Sequence, residues 1–328
     1  MNSFVLRSSR IASLCLAAAI GAATAAHAAT PPAQIVIPGE RVFPESLTST
    51  SDGAVIIGSL GARTIFRAEP GADTAKPWIQ PGTNGMQGIF GVLADEKSDT
   101  LWACSGGFGP PAPGAEPYVP TLHAFDLKTG APKGKYPLPK SDGACNDIAV
   151  DAHGTAYATD TTNMLIVRLP KGAKELEIWA GEDGAFGPRG GVLDGIAVLG
   201  DRVLVNALFT SKLFSVPINK DGSAGKVTEV KLDGALTRPD GMRSFGESSL
   251  LVADAGPDNK GRLARVDLTG DTGKVTSVKE GFPGGPVAVT MVDGTAYVLE
   301  GQLMLMMRPD PNAKPQPFRA TAVPVGTP

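Results

Sequence analysis

The sequence predicts an all-β fold, a six-bladed β-propeller of four-stranded blades. A hairpin-like segment recurs six times. The recurrences start at Glu45, Phe90, Asn146, Asp194, Asp240 and Pro286, at intervals of 45, 56, 48, 46 and 46 residues. Past the N-terminal segment, no stretch carries a convincing 3.6-residue apolar period, so strands are the repeating element. Four-stranded units of this length, six times over, are propeller blades. Leucine-rich and helical repeats need other unit lengths, or helices that are missing here.

Taken in order, residues 1–28 form a leader. Arg7 and Arg10 give a positive start, Ile11 to Ile20 an apolar core, and Ala26-His27-Ala28 a small-residue cleavage site. This is the pattern of a secretory signal peptide, so the chain is expected in the periplasm or outside the cell. Residues 29–328 are then expected to form one propeller domain, with no membrane span in the mature chain. The segment "AQIVIPG" at 33–39 precedes the first blade. It is expected to add the outer strand of the last blade and so close the ring.

The blades follow. "ESLTSTSDGAVIIGS" (45–59) and "FGVLADEKSDTLWACS" (90–105) open the first two, and "CNDIAVDAHGTAYATD" (145–160) opens the third. "DGIAVLGDRVLVN" (194–206), "DGMRSFGESSLLVAD" (240–254) and "PVAVTMVDGTAYVLE" (286–300) open the rest. Each is a strand, a turn and a second strand. A third strand-like run follows each, from "RTIFRAE" in the first blade to "LMLMMRPD" in the last, and often a fourth, such as "KPWIQ" or "ELEIWA". The insertion "GGFGPPAPGAEPYVP" at 106–120 reads as an exposed flap over the mouth or a plain surface loop.

Bulk composition excludes some partners. With the leader's two arginines gone, 28 basic residues face 33 acidic ones, and no basic run exists, so nucleic acid is not expected. Cys104 and Cys145 survive maturation. In an oxidising compartment they can bridge, the alternative being two buried free thiols.

One column down the repeats carries the chemistry. It holds Glu45, Phe90, Asn146, Asp194, Asp240 and Pro286, and the first strand of each propeller blade lines the central channel. Four oxygen-bearing side chains around one axis repel and resist burial unless a cation compensates them. Glu45, Asn146, Asp194 and Asp240 are therefore the expected metal ligands, with Phe90 and Pro286 closing the other sides. A hard-oxygen set without Cys or His favours Ca²⁺, with Mg²⁺, Mn²⁺ or Zn²⁺ as alternatives. The ends of the second strands form another column. From it Asp160, Asn206, Asp254 and Glu300 are expected beside the site or against substrate, Asn206 only after a gap in the alignment. Asp147 should point away from the axis by strand alternation and pin neighbouring backbone.

"PES" (44–46), "CNDIAVD" (145–151), "LDGIAV" (193–198) and "RPDGM" (238–242) together resemble the senescence-marker-protein, gluconolactonase and luciferin-regenerating-enzyme family. The resemblance implies a six-bladed propeller with one divalent cation at the channel mouth and hydrolysis of lactones or related esters. It implies that Glu45, Asn146 and Asp240 are ligands. Asp194 stands where the family usually has asparagine, which adds a negative charge. Asp240 is the implied general base, with Asp194 as runner-up. Arg189 and Arg243 lie near the strand starts and could orient an acidic product. The related paraoxonase-type propellers use a histidine dyad, but His123 and His153 lie off both columns. The substrate is expected to be a small lactone, ester or sugar-derived molecule. Two other functions fit the sequence: a non-catalytic exported propeller with a structural Ca²⁺ that binds a small ligand or protein, and a condensing enzyme of the strictosidine-synthase kind.

Overall fold

Short apolar strands separated by glycine-containing turns pair locally, and here that pairing gives six separate sheets. The structure, a computed structural model, describes Met1 and residues 31–107, 116–256, 261–310 and 312–328. The leader beyond Met1 and positions 108–115 of the expected flap lie outside the described residues.

Each of the first four blades is a four-stranded antiparallel meander. Their inner strands are Pro44–Ser49, Gly88–Asp95, Cys145–Val150 and Leu193–Leu199. The fifth blade runs outward from Pro239–Phe245 and gains a fifth strand, Lys231–Asp233, paired in parallel at its outer edge. The sixth consists of Pro286–Val292, Thr295–Glu300, Phe318–Pro324 and, outermost, Gln34–Ile37. The N-terminal strand therefore closes the ring by pairing with the C-terminal one, as the position of "AQIVIPG" implied. Closure by both chain ends removes the open edge a linear row of blades would leave.

One run differs from the sequence reading. "LMLMMRPD" is no strand: Leu303–Met307 forms a short helix, and Phe318–Pro324 is the third strand of the sixth blade. Leu and Met are not branched at Cβ and favour helix, whereas "FRATAVP" contains the β-branched Val and Thr that suit a pleated sheet.

Apolar side chains fill the spaces between neighbouring blades. Leu47, Val55 and Ile57 of the first blade pack with Tyr297, Leu299 and Phe318 of the sixth. A disulfide joins Cys104, in the second strand of blade two, to Cys145, at the start of blade three's inner strand. Among the described residues no helix is long and apolar enough to cross a membrane.

Candidate metal centre

The six inner strands stand side by side around the axis, each packed against the next. Every one of them breaks register near its start. The residues left out of the ladder are Glu45, Phe90-Gly91, Asn146-Asp147, Asp194-Gly195, Asp240-Gly241 and Val287, in blade order. A bulge frees its residue from strand pairing and re-aims the side chain. Glu45, Asn146, Asp194 and Asp240 all line a single cavity of about 580 Å³, as does Val287.

The sixth column position is thus Val287, not the expected Pro286. Pro286 pairs with Glu300 one step before the bulge, and that blade's bulge holds one residue where four others hold two. Phe90 is buried with Leu60 and Cys104 in the core between blades, and the described lining of the cavity does not include it.

The glycines after Phe90, Asp194 and Asp240 are required by close approach. A Cβ on Gly91 would sit 2.2 Å from the Asn146 carbonyl oxygen, one on Gly195 2.4 Å from that of Asp240, and one on Gly241 2.7 Å from that of Val287. Each second bulge residue abuts the backbone of the neighbouring blade. In blade three the place belongs to Asp147, whose carboxylate Oδ2 accepts the Ile196 N–H of blade four at 3.2 Å. Arg243 Nη1 donates to the same carboxylate at 2.8 Å. Arg243 also donates to the carbonyls of Leu47, Val92 and Met242. It ties four blades together below the mouth and does not line the cavity, so it is not free to orient a product. Arg189 likewise lies off the cavity, bound to Asp142 and Asn163.

Glu45, Asp194 and Asp240 are all buried, and each offers a carboxylate oxygen within 4.8 Å of the others. Burial, then the Asp194 and Asp147 charges, push the Glu45 carboxyl well above the ordinary range, against the pull of Arg243. Burial, then Asp194 and Glu45, do the same to Asp240. Burial and the Asp147 charge raise Asp194 to about 7. The Asn146 Oδ1 is also buried and has no hydrogen-bond partner among the described residues. An orphaned amide oxygen beside three crowded carboxylates is an unmet demand for a cation. The residues form a buried acidic centre able to hold a divalent metal, and their oxygen-only character suits a hard ion.

The second column is arranged differently. Asp160 accepts from the Ala144 N–H at 3.0 Å and from Asn163 Nδ2 at 2.8 Å. Asp254 accepts from the N–H groups of Thr237 (3.0 Å) and Arg238 (2.7 Å), and from Arg262. Neither lines the cavity. Glu300 does line it, but accepts from the Gly284 N–H at 2.8 Å and from Arg319 at 3.2 Å. The position expected for Asn206 belongs to Ala207, which pairs with Leu193. Asn206, one residue earlier, points to the other face, where its Nδ2 donates to the Asp240 carbonyl at 2.7 Å. It braces a candidate ligand's backbone and does not face the cavity. His123 is buried against Phe125, and burial followed by Lys135 lowers its pKa to about 4. It too lies off the cavity.

No protein-family model matches the chain, and no curated protein is significantly similar to it. Solved structures do match. The major allergen Mala s 1 of Malassezia sympodialis superposes with a TM-score of 0.66 at 14% identity, over 90% of this chain and 96% of that one. A gluconolactonase of Xanthomonas campestris gives 0.59 at 13%, over 87% of both chains. A luciferin-regenerating enzyme gives 0.59 at 10%, over 88% of this chain and 94% of that one. In fold, the chain is a six-bladed β-propeller similar to these three structures.

Proposed function

We propose that the protein is a calcium-dependent hydrolase of lactones or related esters, exported by the leader at residues 1–28. One observation carries the reading: three buried carboxylates and an unpartnered amide oxygen converge at one cavity large enough for a small molecule. A gluconolactonase of Xanthomonas campestris shares the fold and supports the choice of substrate class.

Glu45, Asn146, Asp194 and Asp240 would hold the cation. When bound, it supplies compensation for their charge and polarises a substrate carbonyl. The chain's own groups do the rest. The Gly241 N–H donates to Asp240 Oδ1 at 3.0 Å and fixes the carboxylate's orientation. Asp240 takes the proton of the attacking water as its oxygen bonds to the carbonyl carbon. The ring C–O bond breaks, Asp240 returns the proton to the leaving oxygen, and a hydroxy acid results. Asp194 is the alternative base. Glu300, held by Gly284 and Arg319, shapes the wall.

Acid release from γ-butyrolactone and glucono-1,5-lactone, followed in a pH-stat, tests the proposal. Turnover should require calcium, stop with chelator and return when the ion is restored. Tight calcium binding with no turnover of any lactone or aryl ester would contradict hydrolysis and leave a binding propeller.

A further inference from the structure

The cavity changes character above its carboxylates. Phe209, in the turn after the second strand of blade four, is 61% exposed, and Met307 at the end of the short helix is 49% exposed. Both line the cavity, as does Met304. None of the three joins the apolar clusters that build the blades, although Leu303, Leu305 and Met306 of the same helix pack against those clusters. The helix reads "LMLMM" and buries no residue fully. These side chains therefore contribute little to the core, and all three present apolar surface to the cavity. Exposed apolar side chains that line the same cavity as a polar centre mark a ligand surface. Methionine, unbranched and polarisable, adapts to chains of varied shape.

Polar side chains on the walls are largely committed. Thr161 Oγ1 donates to the Leu193 carbonyl at 2.6 Å. The Gln302 amide donates to the Gln316 carbonyl at 2.9 Å and accepts the Gln316 N–H at 2.8 Å. Glu300 is held as described above. A polyhydroxylated ligand would give up water at each hydroxyl and find few replacements. Arg238 and Lys314 also line the cavity and form no ion pair among the described residues. The Arg238 guanidinium lies over the Phe209 ring, 5.7 Å from its centroid. Such cations suit the carboxylate that ring opening creates more than a neutral hydroxyl.

We infer that the substrate is an apolar-bodied lactone or ester, its carbonyl at the carboxylate centre and its alkyl portion against Phe209, Met304 and Met307, and not a sugar lactone. The inference rests on the hydrolase reading for the carbonyl's place, while the apolar wall can be tested without turnover.

The experiment uses the full mature chain with calcium. Hydrolysis is followed across γ-butyrolactone, γ-hexalactone, γ-octalactone and γ-decalactone, with glucono-1,5-lactone alongside. In parallel, binding of 3-alkylcyclopentanones of matching chain length, which cannot be hydrolysed, is measured by calorimetry. kcat/KM and ketone affinity should each rise about two- to fourfold per added methylene until the wall is covered. Replacing Met304→Gln together with Met307→Gln should flatten that slope. The slope is read within one variant, so a change in overall activity does not obscure it. A flat or falling slope in the unaltered protein, or preference for glucono-1,5-lactone, overturns the inference. A slope unchanged in the double variant overturns the assigned wall. Chain-length-dependent ketone binding without turnover of any lactone supports the apolar wall and defeats the hydrolase reading alone.

Discussion

Two rings of acidic side chains lie close together at one end of the propeller, and they differ in what surrounds them. In the inner ring, Glu45, Asp194 and Asp240 face one another, and Asn146 Oδ1 is bonded to nothing among the described residues. In the outer ring, Asp160, Asp254 and Glu300 are equally buried, but each is met by backbone N–H groups and neighbouring side chains. Residue type does not separate the rings; the supply of donors does. A buried carboxylate with its hydrogen bonds filled is an internal brace for loops, whereas carboxylates crowded on one another, with little more than the Gly241 N–H and the Asn146 amide as donors, call for a cation.

That contrast breaks first at Asp254. Asp254→Ala leaves the Thr237 and Arg238 N–H groups and the Arg262 guanidinium without their acceptor. It should destabilise the protein by about 3–5 kcal/mol in denaturant unfolding, even with saturating calcium. Loss of metal affinity with no loss of stability would move Asp254 into the binding centre. Glu45→Gln should do the reverse. Removing one of three charges should weaken calcium binding at least about a hundredfold, while the ion-free protein becomes no less stable, because repulsion falls. A large drop in ion-free stability would mean that Glu45 is a structural brace.

Smaller but sharper is the dependence on pH. Asp194 is raised from 3.8 to about 7, and Glu45 and Asp240 shift in the same direction. In the ion-free protein these groups hold protons more tightly folded than unfolded. Their contribution to stability is fully present below the unfolded value and is lost as pH rises through the folded one. The ion-free melting temperature should therefore fall from about pH 4 towards pH 7 on account of this centre. The calcium-induced rise in melting temperature should grow over the same interval. A calcium effect that shrinks with rising pH would contradict carboxylate ligation.

Much of this was legible in the sequence because the repeat is long and nearly regular. Six aligned hairpins gave the blade count, and their shared first column gathered Glu45, Asn146, Asp194 and Asp240 from positions far apart in the chain. The bulges were not legible. A register break follows from backbone packing between blades, and nothing in "GGPVAV" marks Val287, not Pro286, as the residue turned to the mouth. The same kind of one-residue offset hid Asn206, which lies on the face opposite the one expected. Five apolar residues in a row have no readable period, so the sequence does not distinguish the helix Leu303–Met307 from a strand. In the first column the glycines that follow Asp194 and Asp240, Gly195 and Gly241, each mark a point where the next blade's carbonyl approaches too closely for a Cβ.

The central claim is that the inner ring is a binding site for a hard divalent cation, and isothermal titration tests it most directly. Calcium added to ion-free mature protein should bind with one-to-one stoichiometry, and Asp240→Asn should abolish or severely weaken that binding while Asp147→Ala retains it. No binding of calcium, magnesium or manganese to the unaltered protein, or an isotherm unchanged in Asp240→Asn, would contradict the account.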